Sequence, residues 1–426
     1  MTRTPTDAGQ PPSRLVIRNA RVLTMGEGPG YHRGERMADL GVIERGDVVV
    51  EAGRIVGLVD LARHAPAPPQ PTDTVVDANG RVLMPAFVDA HTHACWGGDR
   101  LDEWERRQAG ASYLDVLKAG GGIMSTVRDT RAASEDQLAA TLAERLGAML
   151  LWGSTTIEVK SGYGLNTDDE LKMLRAIRRA SEAFPGRVAP TALIAHAIDF
   201  DHPGGRDGFV NQTIEETLPA VAEAFPGVTI DAYCEDGAWR YDDCVRLFAR
   251  ALELGCPFRV HTDQFNELGM TEFAVQHGAK SVDHLEASSR RTLGLVARSD
   301  SAGVLLPCSG FHVDQRYADG RALVDGGGAL AIASNFNPGS APCGSVPMTI
   351  ALAVRHNGLT AAEAICAATR NGAALLGFDD AGRIEAGARA DLVLLRHTDE
   401  RSLGYEFGGD PVEAVVCGGE LVKPRV

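Results

Sequence analysis

From Leu15 to about Met84 the apolar positions alternate or run in short stretches. LVIRNARVLTM, DVVVEAGRIVGLV and DTVVDANGRVLM are separated by the turn formers Gly, Asp and Asn. This pattern predicts strands with no long helix among them. ADLVLLRH and VEAVVCGGELV, near the other end, have the same character. The two flanks together predict a small discontinuous β domain over residues 14–84 and 383–426, preceded by a disordered tail over residues 1–13.

Between the flanks the texture changes. Eight short β-branched runs recur: FVDAHTH, TTIEVKSGY, VAPTALIAHA, VTIDAYCEDG, PFRVHTDQ, KSVDHLE, GVLLPCSG and LAIASNFNPG. Segments such as SEDQLAATLAERLGAMLLW, DDELKMLRAIRRASEAF, TIEETLPAVAEAF and YDDCVRLFARALEL lie between them, with apolar residues at three- and four-residue steps. Strands alternating with helices predict parallel βα units. Eight such units predict an α/β fold, a closed (β/α)8 barrel over residues 85–382. A doubly wound open sheet is the rival, but no strand leads into a GxGxxG turn that opens a helix.

Composition narrows the function. Forty-two Lys and Arg against 57 Asp and Glu give a net charge of −15. That balance argues against nucleic acid or an anionic membrane as partner, since both select basic surfaces. No apolar run is long enough to span a bilayer, and the polar, Pro-rich start lacks the apolar core of a signal peptide, so a cytoplasmic location is expected. The eight Cys form no CxxC pair and read as free thiols in or near the core.

In a barrel the chemistry sits at the C-terminal ends of the strands. The first run ends in His91-Thr92-His93, the second in Glu158-Val159-Lys160-Ser161-Gly162-Tyr163, and the third at His196. The fifth ends at His261, followed by Asp263 and Gln264. The sixth ends in Asp283-His284-Leu285-Glu286, and the eighth in Ser334-Asn335-Phe336-Asn337-Pro338-Gly339. Residues i and i+2 of a strand share a face, so His91 and His93 enter the barrel together. Two converging imidazoles make a metal site suited to zinc or iron, and His261 would complete the set. Five of the 12 His (91, 93, 196, 261 and 284) lie at strand ends. His64, His277, His356 and His397 read as solvated. Glu158 and Lys160 read equally well as a buried ion pair or as catalytic groups, while Asp283 and Glu286 are expected to orient His284.

PAFVDAHTH after a β domain, with single histidines on the fifth and sixth runs, resembles the metal-dependent amidohydrolase superfamily. At finer grain, GGDRLDEWERRQAGASYLDVLKAGGGIMSTVRDTR, EVKSGYGL, AHA, HTDQFNELG, DHLE and NPGSAP, in that order, resemble the imidazolonepropionase family. The resemblance runs from about Pro85 to Gly377. It implies metal ligation by His91, His93 and His261, and substrate contacts at Arg100, Tyr163, His196, Asn337, Gly339 and Ser340, with Tyr113 a further contact. It implies that Gln264 lies near the substrate ring and that His284 is catalytic. The implied reaction opens 4-imidazolone-5-propanoate with water to give N-formimino-L-glutamate, a step of histidine degradation. No lysine ends the fourth run (AYCEDG), so one metal, Zn2+ or Fe3+, is implied rather than two.

The substrate implied is a small molecule with a carboxylate, for which Arg100 supplies a planar fork. Gly339 is expected to let backbone N–H groups approach it. One position departs from the family. The resemblance implies an Asp where this chain has Asn335, and a neutral amide can touch a metal but cannot take a proton near pH 7. Three explanations stay open: an inactivating change in an otherwise intact enzyme, His284 or Asp263 as the base, or a divergent relative with another substrate. A heterocycle deaminase on the same scaffold and a non-catalytic binding protein are the competing functions. The outer helix faces of a barrel are consistent with a homodimer, with no specific interface indicated.

Overall fold

The computed structural model describes residues 14–423 apart from 67, 69 and 111–120. The expected N-terminal tail and Tyr113 lie outside the described residues.

The chain opens with β1 (Leu15–Leu23), β2 (Val42–Glu51), β3 (Arg54–Asp60), β4 (Thr74–Asp77) and β5 (Val82–Pro85). Ala52 and Gly53 join β2 to β3 with φ of 49° and 78°, the two left-handed residues that a type I′ hairpin turn requires. The barrel strands follow: β6 (Phe87–Asp89), β7 (Ser154–Lys160), β8 (Arg187–Ala195), β9 (Thr229–Cys234), β10 (Val260–Thr262), β11 (Ser281–His284), β12 (Ala302–Leu305) and β13 (Leu330–Ile332). The chain then returns to the first sheet with β14 (Leu392–Leu395), β15 (Val412–Cys417) and β16 (Glu420–Lys423).

The first sheet runs β16-β15-β14-β5-β1-β2-β3, with β4 beside β1, so both ends of the chain build it. The second runs β6 to β13 in sequence order with every pairing parallel. Its two edges meet beyond the strand ends: His93 N–H donates to Phe336 O (2.9 Å) and Asn335 N–H to His91 O (3.1 Å). The eighth run thereby closes on the first, and the closing bonds join the HxH segment to the Asn335 segment.

Helices cover the barrel where the three- and four-residue periodicity placed them. Ser134 and Gln137 form a reciprocal capping box that starts the helix Glu135–Leu151. The stretch expected as one helix at TIEETLPAVAEAF is the end of a longer helical rod, with one widened turn at Thr213–Thr217 leading into Leu218–Ala224.

The two sheets share a core. On β14, Leu392 and Leu394 pack with Ile17, Val48 and Ile55 inside the first sheet, while Val393 and Leu395 join the barrel's own core. Alternate residues of one strand thus serve both units, as period-two geometry requires. Gly153, just before β7, marks the junction: its φ is 99°, and a Cβ there would lie 2.9 Å from both Phe87 and Val393. All eight cysteines are free, and seven are buried, as expected. Among the described residues no helix is long and apolar enough to cross a membrane.

Candidate metal centre

His91 and His93 follow β6 directly, and His261 is the middle residue of β10. One nitrogen from each lies within 4.8 Å of the others. His93 Nε2 is 3.3 Å from His91 Nε2 and 3.3 Å from His261 Nε2. Two Zn–N bonds of about 2.0–2.1 Å at a tetrahedral angle place their nitrogens about 3.3 Å apart, so the spacing fits a shared ion.

The proton positions also fit. His91 Nδ1–H donates to Asp283 Oδ2 (2.5 Å) and His261 Nδ1–H to Asp231 Oδ1 (3.1 Å). A carboxylate on Nδ1 fixes the tautomer and leaves the lone pair on Nε2. His93 can share a proton with at most one of the two Nε2 atoms that face it, so bare lone pairs crowd together unless a cation sits among them. Burial lowers His91 and His93 well below the ordinary histidine range and lowers His261 to about 4, so all three are neutral imidazoles, the form that binds metal. Two buried atoms, His93 Nδ1 and Asn335 Oδ1, have no hydrogen-bond partner. An orphaned buried amide oxygen costs about 1–3 kcal/mol, which an ion or its water would offset.

Beneath the imidazoles lies a buried ionic network. Asp231 accepts from Lys160 Nζ (2.8 Å), and Asp283 accepts from Arg259 Nη2. Lys160 also donates to Glu158 (2.7 Å), as does Arg259 Nη1 (3.3 Å). The Glu158–Lys160 pair is therefore a buried ion pair. Burial alone would raise the Asp231 carboxyl, but His261 and Lys160 beside it hold it well below the usual range. Asp283 corrects an expectation: it holds His91, not His284. Asp283 reaches across the barrel interior to His91, while His284 leaves the strand with a φ of 88° and bonds Glu286 through Nδ1 (3.1 Å).

The other expected site residues fall into two groups. His196 stacks on His93 with centroids 5.0 Å apart, and its Nδ1–H donates to Gly162 O (3.0 Å). Burial lowers His196 to about 4. The His284 ring is 5.6 Å from that of His261, and the Tyr163 ring 6.2 Å from that of His93. Gln264 Oε1 accepts from Tyr233 O–H (2.9 Å), whose ring lies against His261. The second group is the Arg100 corner. A Cβ on Gly339 would lie 3.2 Å from Arg100 Nη1, so a larger residue would crowd the guanidinium. Arg100 Nε (2.7 Å) and Nη2 both donate to Glu103 Oε2, and Nη1 donates to Thr126 Oγ1 (3.4 Å).

The loop after β13 is folded by one of its own side chains. Gly339 N–H and Ser340 N–H both donate to Asn337 Oδ1 (2.8 and 2.7 Å), and Asn337 Nδ2 donates to Asn335 O (2.6 Å). An Asn followed by Pro-Gly folds its own turn in this way. The amide therefore shapes the loop, and these two N–H groups are engaged within it. Asp263 is likewise engaged: it accepts from the hydroxyls of Thr262, Thr271 and Ser288. Asp263, His284, Leu285 and Asn335 all have positive φ at strand ends around the site, where local strain is characteristic of functional segments.

The amidohydrolase family model matches residues 82–422. A protein of Herpetosiphon aurantiacus named imidazolonepropionase is 41% identical over 96% of this chain and 97% of its own length. A protein of the same name from Deinococcus radiodurans is 41% identical over 92% and 95%. The chain belongs to the imidazolonepropionase family of amidohydrolases. At the level of fold, a 5-methylcytosine deaminase from Klebsiella pneumoniae superposes with a TM-score of 0.72 at 15% identity, covering 96% of this chain and 98% of its own.

The sequence reading of this imidazolonepropionase-family chain passed over two residues beneath its imidazoles, Asp231 and Arg259. A signal was present. Arg259 precedes His261 by two residues, hence shares its face, and a charge inside an apolar barrel run must meet a partner.

Proposed function

We propose that this chain hydrolyses the cyclic amide of 4-imidazolone-5-propanoate to N-formimino-L-glutamate, with one metal ion, Zn2+ or Fe3+, held by His91, His93 and His261 and touched by Asn335. The observation that carries the metal site is the convergence of three neutral imidazole nitrogens. Similarity to imidazolonepropionases over nearly the whole chain supports the substrate. When bound there, the ion would make a neighbouring water acidic enough to attack near neutral pH.

Hydrolysis adds water at the ring carbonyl carbon, breaks the C–N bond and leaves a water proton on the departing nitrogen. His284 is the group that carries this proton. Its Nδ1–H is held by Glu286, so Nε2 is free to accept a proton and then to give it up. Asn335 contributes a neutral oxygen and no basicity. A proton acceptor is worth about 10²–10⁴ in rate, so a carboxylate at this position, added to His284, would speed turnover.

The remaining residues bind and orient. Arg100 meets the propanoate carboxylate through Nη1, with Gly339 and Ser340 folded beneath it by Asn337. Gln264, anchored by Tyr233, addresses the ring. Tyr163 and His196 line the pocket as neutral groups. Burial pushes the Tyr163 hydroxyl well above its ordinary range despite Arg100 and Arg145. A nucleobase has no carboxylate for Arg100, which favours the amide over a deamination.

The test is incubation of metal-loaded protein with 4-imidazolone-5-propanoate, following loss of its absorbance and formation of N-formimino-L-glutamate. Ammonia release from a nucleobase, without action on the imidazolone, would overturn the reading.

A further inference from the structure

Glu158 touches both of the buried cations that support the ligand-holding aspartates. Its Oε1 accepts from both buried cations, Lys160 (2.7 Å) and Arg259 (3.3 Å). Lys160 reaches the carboxylate that holds His261, and Arg259 reaches the one that holds His91. The other oxygen, Oε2, accepts from Thr92 N–H (2.9 Å), the residue between His91 and His93. Thr92 Oγ1 returns a bond to Glu158 O (2.6 Å). One fully buried side chain thus links the HxH segment after β6, the His261 arm through β9 and the His91 arm through β11.

We propose that Glu158 is the positioning residue of this site: it locks the three imidazoles into one metal-binding geometry through the Lys160–Asp231 and Arg259–Asp283 arms. The inference rests on the metal-binding reading of the imidazoles. Each ligand-holding aspartate is buried and needs a cation, and each cation is buried and needs a second anion. A separate anion for each cation would leave the two arms independent. The shared Oε1 makes them a single unit, in which a shift of one aspartate moves the cation, the shared glutamate and the backbone that carries His91 and His93. The formal balance is three carboxylates against two cations, so a net negative charge also lies under the site. Lys160 Nζ and both terminal nitrogens of Arg259 are bonded within this network, and such charge-assisted bonds favour one arrangement of the side chains.

Position and charge are separable by experiment. Glu158→Gln removes the negative charge and replaces an acceptor with a donor. Glu158→Asp keeps the charge but is one methylene too short to reach Thr92 and both cations together. The measurements are the Zn2+ dissociation constant of metal-stripped protein, by competition with a chelator, and the visible ligand-field spectrum of the Co2+ form. Loss of outer partners of metal ligands typically weakens affinity about 10–100-fold. Both variants are expected to lose Zn2+ affinity by about that factor and to show an altered Co2+ spectrum. Native affinity and spectrum in Glu158→Asp would overturn the proposal, whatever Glu158→Gln does, because charge alone would then suffice. If Glu158→Gln fails to fold, Glu158→Asp decides by itself. Failure of the underlying reading looks different: the native chain itself would bind no Zn2+ or Co2+.

Discussion

Asp283 Oδ2 lies 2.5 Å from His91 Nδ1, across 192 residues of sequence, and both side chains are fully buried. The carboxylate decides which nitrogen of His91 is free. Asp283→Asn weakens the hold on the Nδ1 proton and lets the ring turn, so Zn2+ affinity is expected to fall about 10–100-fold. Chelator competition measures it. Unchanged affinity would mean that packing alone orients His91.

Asn335 is the second lever. Its Oδ1 is buried without a partner, and its N–H is bonded to His91 O. Asn335→Asp supplies a carboxylate in nearly the same volume, and turnover of 4-imidazolone-5-propanoate is expected to rise at least about tenfold. Steady-state kcat measures this. An unchanged kcat would mean that His284 alone already moves the proton as fast as a carboxylate at position 335 would. Asp263 does not serve here, since both of its carboxylate oxygens are engaged by neighbouring hydroxyls.

Arg100 acts on binding. A hydrogen bond to a charged partner is worth about 1.5–3 kcal/mol, so Arg100→Met is expected to raise KM about 10–100-fold and to change kcat less. The carboxylate contact is the same in ground and transition state, which is why KM carries the loss. A kcat effect as large as the KM effect would place Arg100 in the chemical step instead.

How much of this was legible beforehand depends on the distance over which partners meet. All eight barrel runs were readable, because parallel barrel strands are near-continuous β-branched stretches. Their hydrogen-bonded lengths were not. FVDAHTH reduces to Phe87–Asp89, since the ligand-bearing residues leave the ladder to face the mouth. His91, His93 and His261 were readable from i, i+2 spacing and strand-end position. The Asp283–His91 and Asp231–His261 pairs were not, because nothing local marks a contact between distant strands. The turn that Asn337 folds was not readable as such: in Asn-Pro-Gly-Ser the amide bonds the two N–H groups that follow it.

Gly153 tests the junction between the two sheets. With φ at 99° and no room for a Cβ between Phe87 and Val393, Gly153→Ala combines backbone strain with overpacking. The expected loss is about 1–3 kcal/mol of stability, read as a lowered denaturation midpoint, with metal affinity of the folded protein unchanged. A native midpoint would mean that the two units do not depend on this contact.

In the proposed function, ring opening depends on one ion held by three imidazoles. The most direct test of this dependence is the rate of 4-imidazolone-5-propanoate hydrolysis by one preparation as loaded with Zn2+ or Fe3+, after chelation, and after return of one equivalent of metal. The rate is expected to fall to background on chelation and to recover at one metal per chain. Stripped protein that hydrolyses the substrate as fast as the loaded form would contradict that dependence.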